Sequence, residues 1–275
     1  MRVETKPAKA DVRKESGNRP DPAPKPRASH APALTLIARM PPPGAALNAN
    51  RNRPFILQIG KHLRGVFDRL IASSSLVSNA PVLDVRDFAW TALLRAEWQA
   101  IRDEAVAVAR LDTEVDRRRC FVLWGYSVPI EDNIAECPRT AAIIAQIPGL
   151  NSAFFSIVAP GTHIPEHRGM TKGLITCHLG LIVPRDGDAR MRVGNRIVRW
   201  AEGETLVFDD TYSHEVWNDT SSTRVLLRVQ FEGPLRNPGK WVADVFLQLL
   251  RRSAFVRESR GNIGIFSQAI RQMDI

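Results

Sequence analysis

The chain has 275 residues, of which 44% are hydrophobic and 24% are charged. This composition is typical of a folded globular protein and excludes a wholly disordered chain, a coiled coil and a collagen-like repeat. No run approaches the roughly 18 consecutive apolar residues that span a bilayer, and no secretory signal is readable at the start, so the expected compartment is the cytoplasm. The three cysteines are widely spaced and include no CxxC pair, which argues against a disulfide framework and a thiolate zinc site.

The net charge of +9 is concentrated at the N-terminus. Residues 1–53 hold 11 Lys and Arg against 4 Asp and Glu, and they include the Pro-rich strings PDPAPKPR and MPPPGAA. Proline disfavours helix and sheet, and the few apolar residues cannot offset the chain entropy lost on folding, so we expect a disordered basic tail over 1–53. The rest of the chain is nearly neutral, and we therefore expect no nucleic-acid partner.

Helical spacing dominates the next part of the chain. Apolar residues recur every three or four positions in FILQIGKHLRGVFDRLI, from Phe55, and in WTALLRAEWQAIRDEAVAVARL, from Trp90. The spacing becomes strand-like in RRRCFVLWGYSV. The string ECPRTAAIIAQIPGL then predicts a short helix that is stopped by Pro148 and Gly149.

The sequence pattern changes between Ala153 and Glu232. Short β-branched or aromatic runs, among them AFFSIVAPG, LITCHLGLIVP, TLVFDD and RVLLRVQFEG, are separated by Gly, Pro, Asp and Asn. Such even spacing predicts a β-sandwich or barrel, and helical spacing returns in KWVADVFLQLLRRSAFVRE. We therefore expect a mainly β domain with N-terminal helices over 54–235 and an amphipathic helical extension over 236–275.

Four of the six histidines lie within this β-rich stretch. His167 occurs in the turn-rich string PGTHIPEHRG, and His214 lies at a strand edge in FDDTYSHEVWN. Two neutral imidazoles on facing strands of a jelly roll can hold Fe(II), Mn(II) or Zn(II). The alternative is that both are hydrogen-bonded structural residues, and the spacing alone does not decide between the two.

The usual carboxylate ligand is missing from this pattern. Many iron oxygenases place an acid two residues after the first histidine, and that position is Gly169. The nearby acids are Glu166, Asp209 and Asp210. The last two precede His214 by five and four residues, a placement that favours orienting a ligand imidazole or a metal-bound water.

The stretch from Ser156 to Phe231 resembles the aspartyl/asparaginyl β-hydroxylase family of Fe(II)- and 2-oxoglutarate-dependent oxygenases. The matching text is SIVAPGTHIPEHRG, KGLITCHLGLIVP and RVGNRIVRWAEGETLVFDDTYSHEVWNDTSSTRVLL, with ECPRTAAIIAQIPGL upstream. The resemblance covers about residues 80–235 and implies a double-stranded β-helix, which is a jelly roll. This family holds iron with two histidines and has a glycine where its relatives have the acid, so Gly169 supports the resemblance.

The resemblance also implies roles for individual residues. His167 and His214 would bind the iron. Ser156 and Arg224 match the pair that binds the distal carboxylate of 2-oxoglutarate, and a planar guanidinium and a hydroxyl suit that group. His178 matches a residue that contacts the carboxylate nearest the iron.

One position departs from the family pattern. The family commonly has an arginine two residues before His178, and this chain has Thr176. A hydroxyl can donate a hydrogen bond to the cosubstrate but cannot balance its charge, so Lys172 or Arg168 is a candidate substitute. Asp210 is the predicted catalytic residue beyond the ligand set, because it could order the groups around the metal.

The predicted function is hydroxylation of an unactivated carbon by an Fe(II)- and 2-oxoglutarate-dependent dioxygenase, with dioxygen and a small-molecule or peptide substrate as partners. The resemblance implies first the β-carbon of an Asp or Asn residue or a related amino acid. An alternative is a lipid A acyl chain at the membrane surface. A second alternative is a metal-free jelly-roll module that binds an anionic ligand through the histidines and Arg224.

The C-terminal extension bears on the lipid alternative. It carries Lys240, Arg251, Arg252, Arg257 and Arg260 beside apolar residues, a combination that suits peripheral contact with the inner face of a membrane. The same helix could equally pack on the barrel, and this is the favoured interpretation because it is the ordinary case for an amphipathic helix.

Overall fold

Two antiparallel sheets form the centre of the structure, which is a computed structural model that describes residues 38–39, 65–109 and 118–253. The strands are β1 Ala38–Arg39, β2 Val82–Leu83, β3 Arg118–Gly125, β4 Val128–Pro129, β5 Leu150–Val158, β6 Thr162–His167, β7 Leu174–Ile182, β8 Asp188–Val193, β9 Arg196–Arg199, β10 Thr205–Phe208, β11 His214–Asp219 and β12 Arg224–Glu232. The helices are α1 (65–73), α2 Thr91–Ala96, α3 Trp98–Ala109, α4 Glu131–Glu136, α5 Pro138–Ile144 and α6 Gly239–Arg252.

The larger sheet has the strand order β1-β3-β5-β12-β7-β10-β2, with β4 added beside β3, and the smaller sheet has the order β6-β11-β8-β9. Apolar side chains of the two sheets meet in one core, which includes Met191 and Val216 of the smaller sheet and Leu226 of the larger one. The arrangement is the double-stranded β-helix that the sequence predicts, mainly β with flanking helices.

Strand β12 shows how the two faces of the larger sheet differ. Side chains alternate between the faces of a strand, so Val225, Leu227 and Val229 point to one side and Arg224 and Arg228 to the other. The three apolar residues belong to the core that also contains residues of α2, α3 and α5. The two arginines line a cavity between the sheets. The helices therefore cover one face of this sheet, and its opposite face carries the polar groups.

The predicted helix that starts at Trp90 is confirmed, but it is interrupted at Glu97, which ends α2 before α3 begins. Arg95 at the end of α2 donates a hydrogen bond to Thr205, while the indole of Trp98 at the start of α3 lies against Gly203. Each short helix thus meets the sheet through its own contacts. Helix α4 was not predicted, because EDNIAE is short and polar; its Asn133 side chain bonds to the carbonyl of Val122 at 2.6 Å.

The turn-rich interpretation of PGTHIPEHRG is wrong for Thr162–His167, which form strand β6. Pairing with β11 explains the extended conformation, and β6 lies at the edge of its sheet. An edge strand accepts Pro165 because one side of the strand needs no N–H donor.

Two parts of the sequence prediction concern residues that the structure leaves undescribed. The basic tail over 1–53 lies outside the described residues except for β1, and the first predicted helix is described only over 65–73. At the other end, α6 buries Ala243, Leu247 and Leu250, so one face of this helix packs on the domain. None of the helices within the described ranges is long and apolar enough to cross a bilayer.

Candidate active site

The pairing of β6 with β11 brings the two predicted metal ligands together. His167 is the last residue of β6, His214 is the first residue of β11, and the two are direct partners in the antiparallel register. Their ring centroids lie 4.1 Å apart. The ring of His214 is buried and that of His167 is partly exposed.

Both imidazoles are oriented by the backbone two residues before them. Nδ1 of His167 lies 2.7 Å from the carbonyl oxygen of Pro165, and Nδ1 of His214 lies 2.9 Å from that of Tyr212. A carbonyl oxygen only accepts hydrogen bonds, so Nδ1 carries the proton of each neutral ring and Nε2 carries the lone pair. This is the tautomer that binds a divalent metal through Nε2, with the backbone bond fixing the ring direction.

Gly169 occupies the position where many iron sites have a carboxylate, and the structure shows why a side chain does not fit there. A Cβ atom at this position would collide with the carboxyl group of Asp210. The amide of Gly169 also donates to the backbone carbonyl of Asp210 at 2.6 Å. Within the described residues, no group of three or more His, Cys, Asp or Glu is placed to hold a metal ion. Among the described residues, the candidate donor set is the pair of imidazoles of His167 and His214.

Asp210 is fully buried behind this loop. Its Oδ2 accepts hydrogen bonds from Thr176 Oγ1 at 2.9 Å, from Gln230 Nε2 at 3.0 Å and from Arg228 Nη2 at 3.3 Å. The guanidinium of Arg228 balances the charge of the carboxylate. Asp210 thereby ties the Gly169 loop to strands β7 and β12.

A cavity between the sheets contains most of the predicted site residues. Among its polar lining residues are Arg118, Ser156, His167, His178, His214, Arg224 and Arg228. Thr176 and Asp210 are not among the described residues that line it, because each points into the hydrogen-bond network behind the wall.

Arg224 is a buried cation in this cavity. The protein provides hydrogen-bond acceptors for only some of its N–H groups. Its Nη2 donates to Ser156 Oγ at 3.3 Å, and its guanidinium carbon lies 4.4 Å from the ring centroid of Trp200. Nε and Nη1 are buried without a hydrogen-bond partner among the described residues. Burial, together with the nearby Arg118, lowers the pKa of Arg224 to about 9. An anion in the cavity would relieve this unfavourable burial and supply the missing acceptors.

His178 offers a hydrogen-bond donor in the same cavity. The indole Nε1 of Trp200 donates to Nδ1 of His178 at 3.3 Å, and because an indole nitrogen only donates, the proton of the neutral imidazole lies on Nε2. That Nε2 is buried without a protein partner among the described residues. Burial, reinforced by Arg228 and Arg224, lowers the pKa of His178 well below its usual range, so the ring is neutral. A carboxylate is a fitting acceptor for this N–H.

Sequence comparisons identify the family of this chain. The family model for aspartyl/asparaginyl β-hydroxylase matches residues 95–234. The chain belongs to the aspartyl/asparaginyl β-hydroxylase family. It is similar to an ornithine lipid ester-linked acyl 2-hydroxylase of Rhizobium tropici, with 39% identity over 203 residues that cover 68% of this chain and 72% of that protein. It is also 29% identical over 196 residues to the human aspartyl/asparaginyl β-hydroxylase, covering 64% of this chain and 26% of that protein.

Arg228 is a cavity residue of this β-hydroxylase family member that sequence reasoning missed. It lines the cavity and is the direct cross-strand partner of His178. The signal was present in the sequence, since Arg224 and Arg228 are four residues apart on one strand and must share a face. Arg228 therefore lies next to His178, where its guanidinium pairs with Asp210.

The two substitutes considered from the sequence do not reach the cavity. Lys172 forms an ion pair with Asp209 and lies 4.5 Å from the ring centroid of Tyr212. Arg168 is exposed, and neither residue is among the described residues of the cavity wall. The structure thus supports neither residue as the substitute.

Proposed function

We propose that this β-hydroxylase family member is an Fe(II)- and 2-oxoglutarate-dependent dioxygenase that hydroxylates the acyl chain of a membrane lipid. The observation that carries the proposal is the shared cavity, in which two imidazoles of the metal-binding tautomer lie with a buried and incompletely paired Arg224. When bound there, Fe(II) and 2-oxoglutarate would supply the electrons that activate dioxygen, with one oxygen atom going to succinate and the other into an unactivated C–H bond.

The metal would be held by Nε2 of His167 and of His214. Asp210 does not itself line the cavity and acts as a positioning residue. Its backbone carbonyl accepts from Gly169, two residues after His167, while its side chain anchors it to β7, and so it would help to keep that imidazole in its direction.

The cosubstrate would be bound by the unpaired donors. Arg224 and Ser156 suit the distal carboxylate, since a guanidinium fork and a hydroxyl together offer several N–H and O–H donors. His178 Nε2–H suits the carboxylate nearer the metal, and Arg228, whose charge is already balanced by Asp210, lies beside His178. Thr176 contributes indirectly, through its hydrogen bond to Asp210.

The choice of a lipid substrate rests on two observations. The relative from Rhizobium tropici, an acyl hydroxylase, matches along 72% of its length, whereas the human relative matches along 26%. The cavity also has an apolar wall that suits a hydrocarbon chain, made of Phe154, Val158, Ile164, Met191, Phe208 and Val216. The Asp or Asn β-carbon stays the second candidate, favoured by the name of the human relative.

The substrate assay starts from protein loaded with Fe(II) and 2-oxoglutarate under argon and then exposed to air. Separate samples contain ornithine lipid, lipid A or an Asp- and Asn-containing peptide, and mass spectrometry detects the added oxygen atom while succinate formation is followed. We expect a hydroxylated lipid acyl chain and succinate. A hydroxylated peptide alone would establish the second candidate instead. No succinate and no product, despite bound iron, would contradict the enzyme proposal in favour of a binding module.

We expect Arg224→Met to bind 2-oxoglutarate at least about a hundredfold more weakly, because the variant loses the buried guanidinium that pairs with the carboxylate. Without ligand, the same variant should be more stable than the wild type by about 1–2 kcal/mol, since methionine fills the site without burying an unpaired charge. Tryptophan fluorescence can follow the titration, because Trp200 lies against this guanidinium. Urea unfolding gives the stability.

The matched control for this prediction is Arg190→Met. Arg190 also lies over a tryptophan ring, that of Trp217 at 4.7 Å, but it pairs with Asp188 and Asp219 and is not among the residues that line the cavity in the described structure. This variant should keep wild-type affinity. Unchanged affinity in Arg224→Met would remove Arg224 from the proposed cosubstrate site.

A further inference from the structure

Helix α6 lies against the wall of the cavity. Leu250 near its end packs in one cluster with Cys120 and Phe154, which both line the cavity, and with Met170. Earlier in the helix, Ala243 lies so close to Gly173 that a Cβ atom on that glycine would be 2.9 Å from the alanine Cβ. The helix therefore flanks both the cavity wall and the loop that follows the candidate metal ligand His167.

The outward side of α6 carries a second apolar stripe, which we call the outer stripe and define as Trp241, Val245 and Leu249. These residues are four apart, so they share one side of the helix, opposite to the face that is buried on the domain. Their exposed fractions are 66%, 36% and 47%, and Trp241 is the most exposed large hydrophobic residue of the described chain. An exposed apolar stripe of this kind marks an interaction surface.

The charges around the outer stripe indicate which surface it meets. Residues 236–252 contain Arg236, Lys240, Arg251 and Arg252 against the single acid Asp244. Lys240 pairs with Asp244 and Arg251 with Glu232, which leaves Arg236 and Arg252 as the cations without an ion pair among the described residues. Arg252 follows Trp241 by three helical turns and so lies on the outer stripe's side, where it is exposed. Tryptophan prefers the interface between headgroups and acyl chains, and basic residues are attracted to anionic headgroups.

We propose that the outer stripe of α6 docks on an anionic phospholipid bilayer and so holds the cavity next to the membrane surface. The inference rests on the proposed lipid substrate, whose acyl chain has to leave the bilayer to reach His167 and His214. One helix then has two roles, because its inner face packs on the cavity wall and its outer face contacts the membrane.

The test uses the full-length protein and sedimentation with vesicles of phosphatidylcholine, with and without phosphatidylglycerol. The variant replaces Trp241, Val245 and Leu249 by serine. The control variant is Val106→Ser/Ile197→Ser, which removes two exposed apolar side chains elsewhere. We expect the wild type and the control to bind the phosphatidylglycerol vesicles, more weakly at high salt, and the outer-stripe variant to bind at least about tenfold more weakly. Equal binding by all three proteins would overturn the proposal.

A second measurement does not depend on the folding of the serine variant. Brominated acyl chains should quench part of the wild-type tryptophan fluorescence, and the conservative variant Trp241→Phe should lose that quenching. Quenching that is unchanged in Trp241→Phe would contradict the contact.

Activity assays separate this inference from the proposed function. The outer-stripe variant should hydroxylate detergent-dispersed lipid at the wild-type rate and vesicle lipid more slowly. A wild-type protein that binds vesicles but hydroxylates no lipid would support the docking surface and contradict the lipid substrate. If the outer-stripe variant hydroxylates vesicle lipid as fast as the wild type, the docking surface is contradicted and the lipid substrate is still supported.

Discussion

Replacing His214 by alanine is expected to abolish iron binding and to lower 2-oxoglutarate turnover by at least about a thousandfold. The effect is large because the described structure provides two imidazoles and no third ligand, so one substitution removes half of the protein's donor set. His167→Ala should behave in the same way. The measurements are the iron content after loading and the rate of succinate formation.

The control for both variants is His163→Ala. His163 is on β6 as well, but its ring stacks on Trp217 with centroids 5.0 Å apart and contacts Glu215, and it is not among the described cavity residues. We expect this variant to load iron and to turn over 2-oxoglutarate as the wild type does. Full iron content in His214→Ala would place the metal elsewhere.

Replacing Asp210 by alanine is expected to reduce the free energy of unfolding by about 3–5 kcal/mol. The loss has two sources. The guanidinium of Arg228 would be left buried without its counter-ion, and the side chains of Thr176 and Gln230 would lose their shared acceptor. Urea or thermal unfolding measures the change. The same variant should bind iron more weakly, because the backbone carbonyl of residue 210, which accepts from Gly169 near His167, is no longer anchored to β7 and β12 by the carboxylate.

Two further variants distinguish the loss of the buried hydrogen-bond network from the general effect of removing an aspartate. Asp219→Ala removes an exposed carboxylate that pairs with Arg190, and it should cost no more than about 1 kcal/mol. The double variant Asp210→Ala/Arg228→Met should be more stable than Asp210→Ala alone, since it removes the orphaned cation as well. A cost of less than about 1 kcal/mol in Asp210→Ala would show that Asp210 does not hold this network together.

The site residues found from the sequence share a local signature or a family motif. His167, Gly169 and His214 lie in strings that resemble the family, and the structure places the two histidines side by side. Ser156, His178 and Arg224 were assigned in the same way and line the same cavity. Whether each performs its assigned role stays a prediction for the variants above.

The roles of Thr176 and Arg228 could not be separated from the sequence. The family resemblance assigns Thr176 to the cosubstrate site because it stands at the usual arginine position, but its hydroxyl donates to Asp210. Arg228 comes from another strand and reaches the position beside His178 through cross-strand pairing. Which residue supplies a charge to a shared cavity depends on strand register, and register is set by contacts between segments that are distant in the chain.

The sequence by itself determined the mainly β fold with flanking helices, the family, and the two-histidine motif with its glycine, because these depend on local periodicity and on short motifs. The tertiary structure alone decided that PGTHIPEHRG contains an edge strand, since pairing with β11 outweighs its turn residues. It also decided that Asp210 occupies the space beside Gly169 and that α6 turns Trp241 outward. These last features depend on how segments that are distant in the chain pack against one another, and a local sequence pattern does not contain that information.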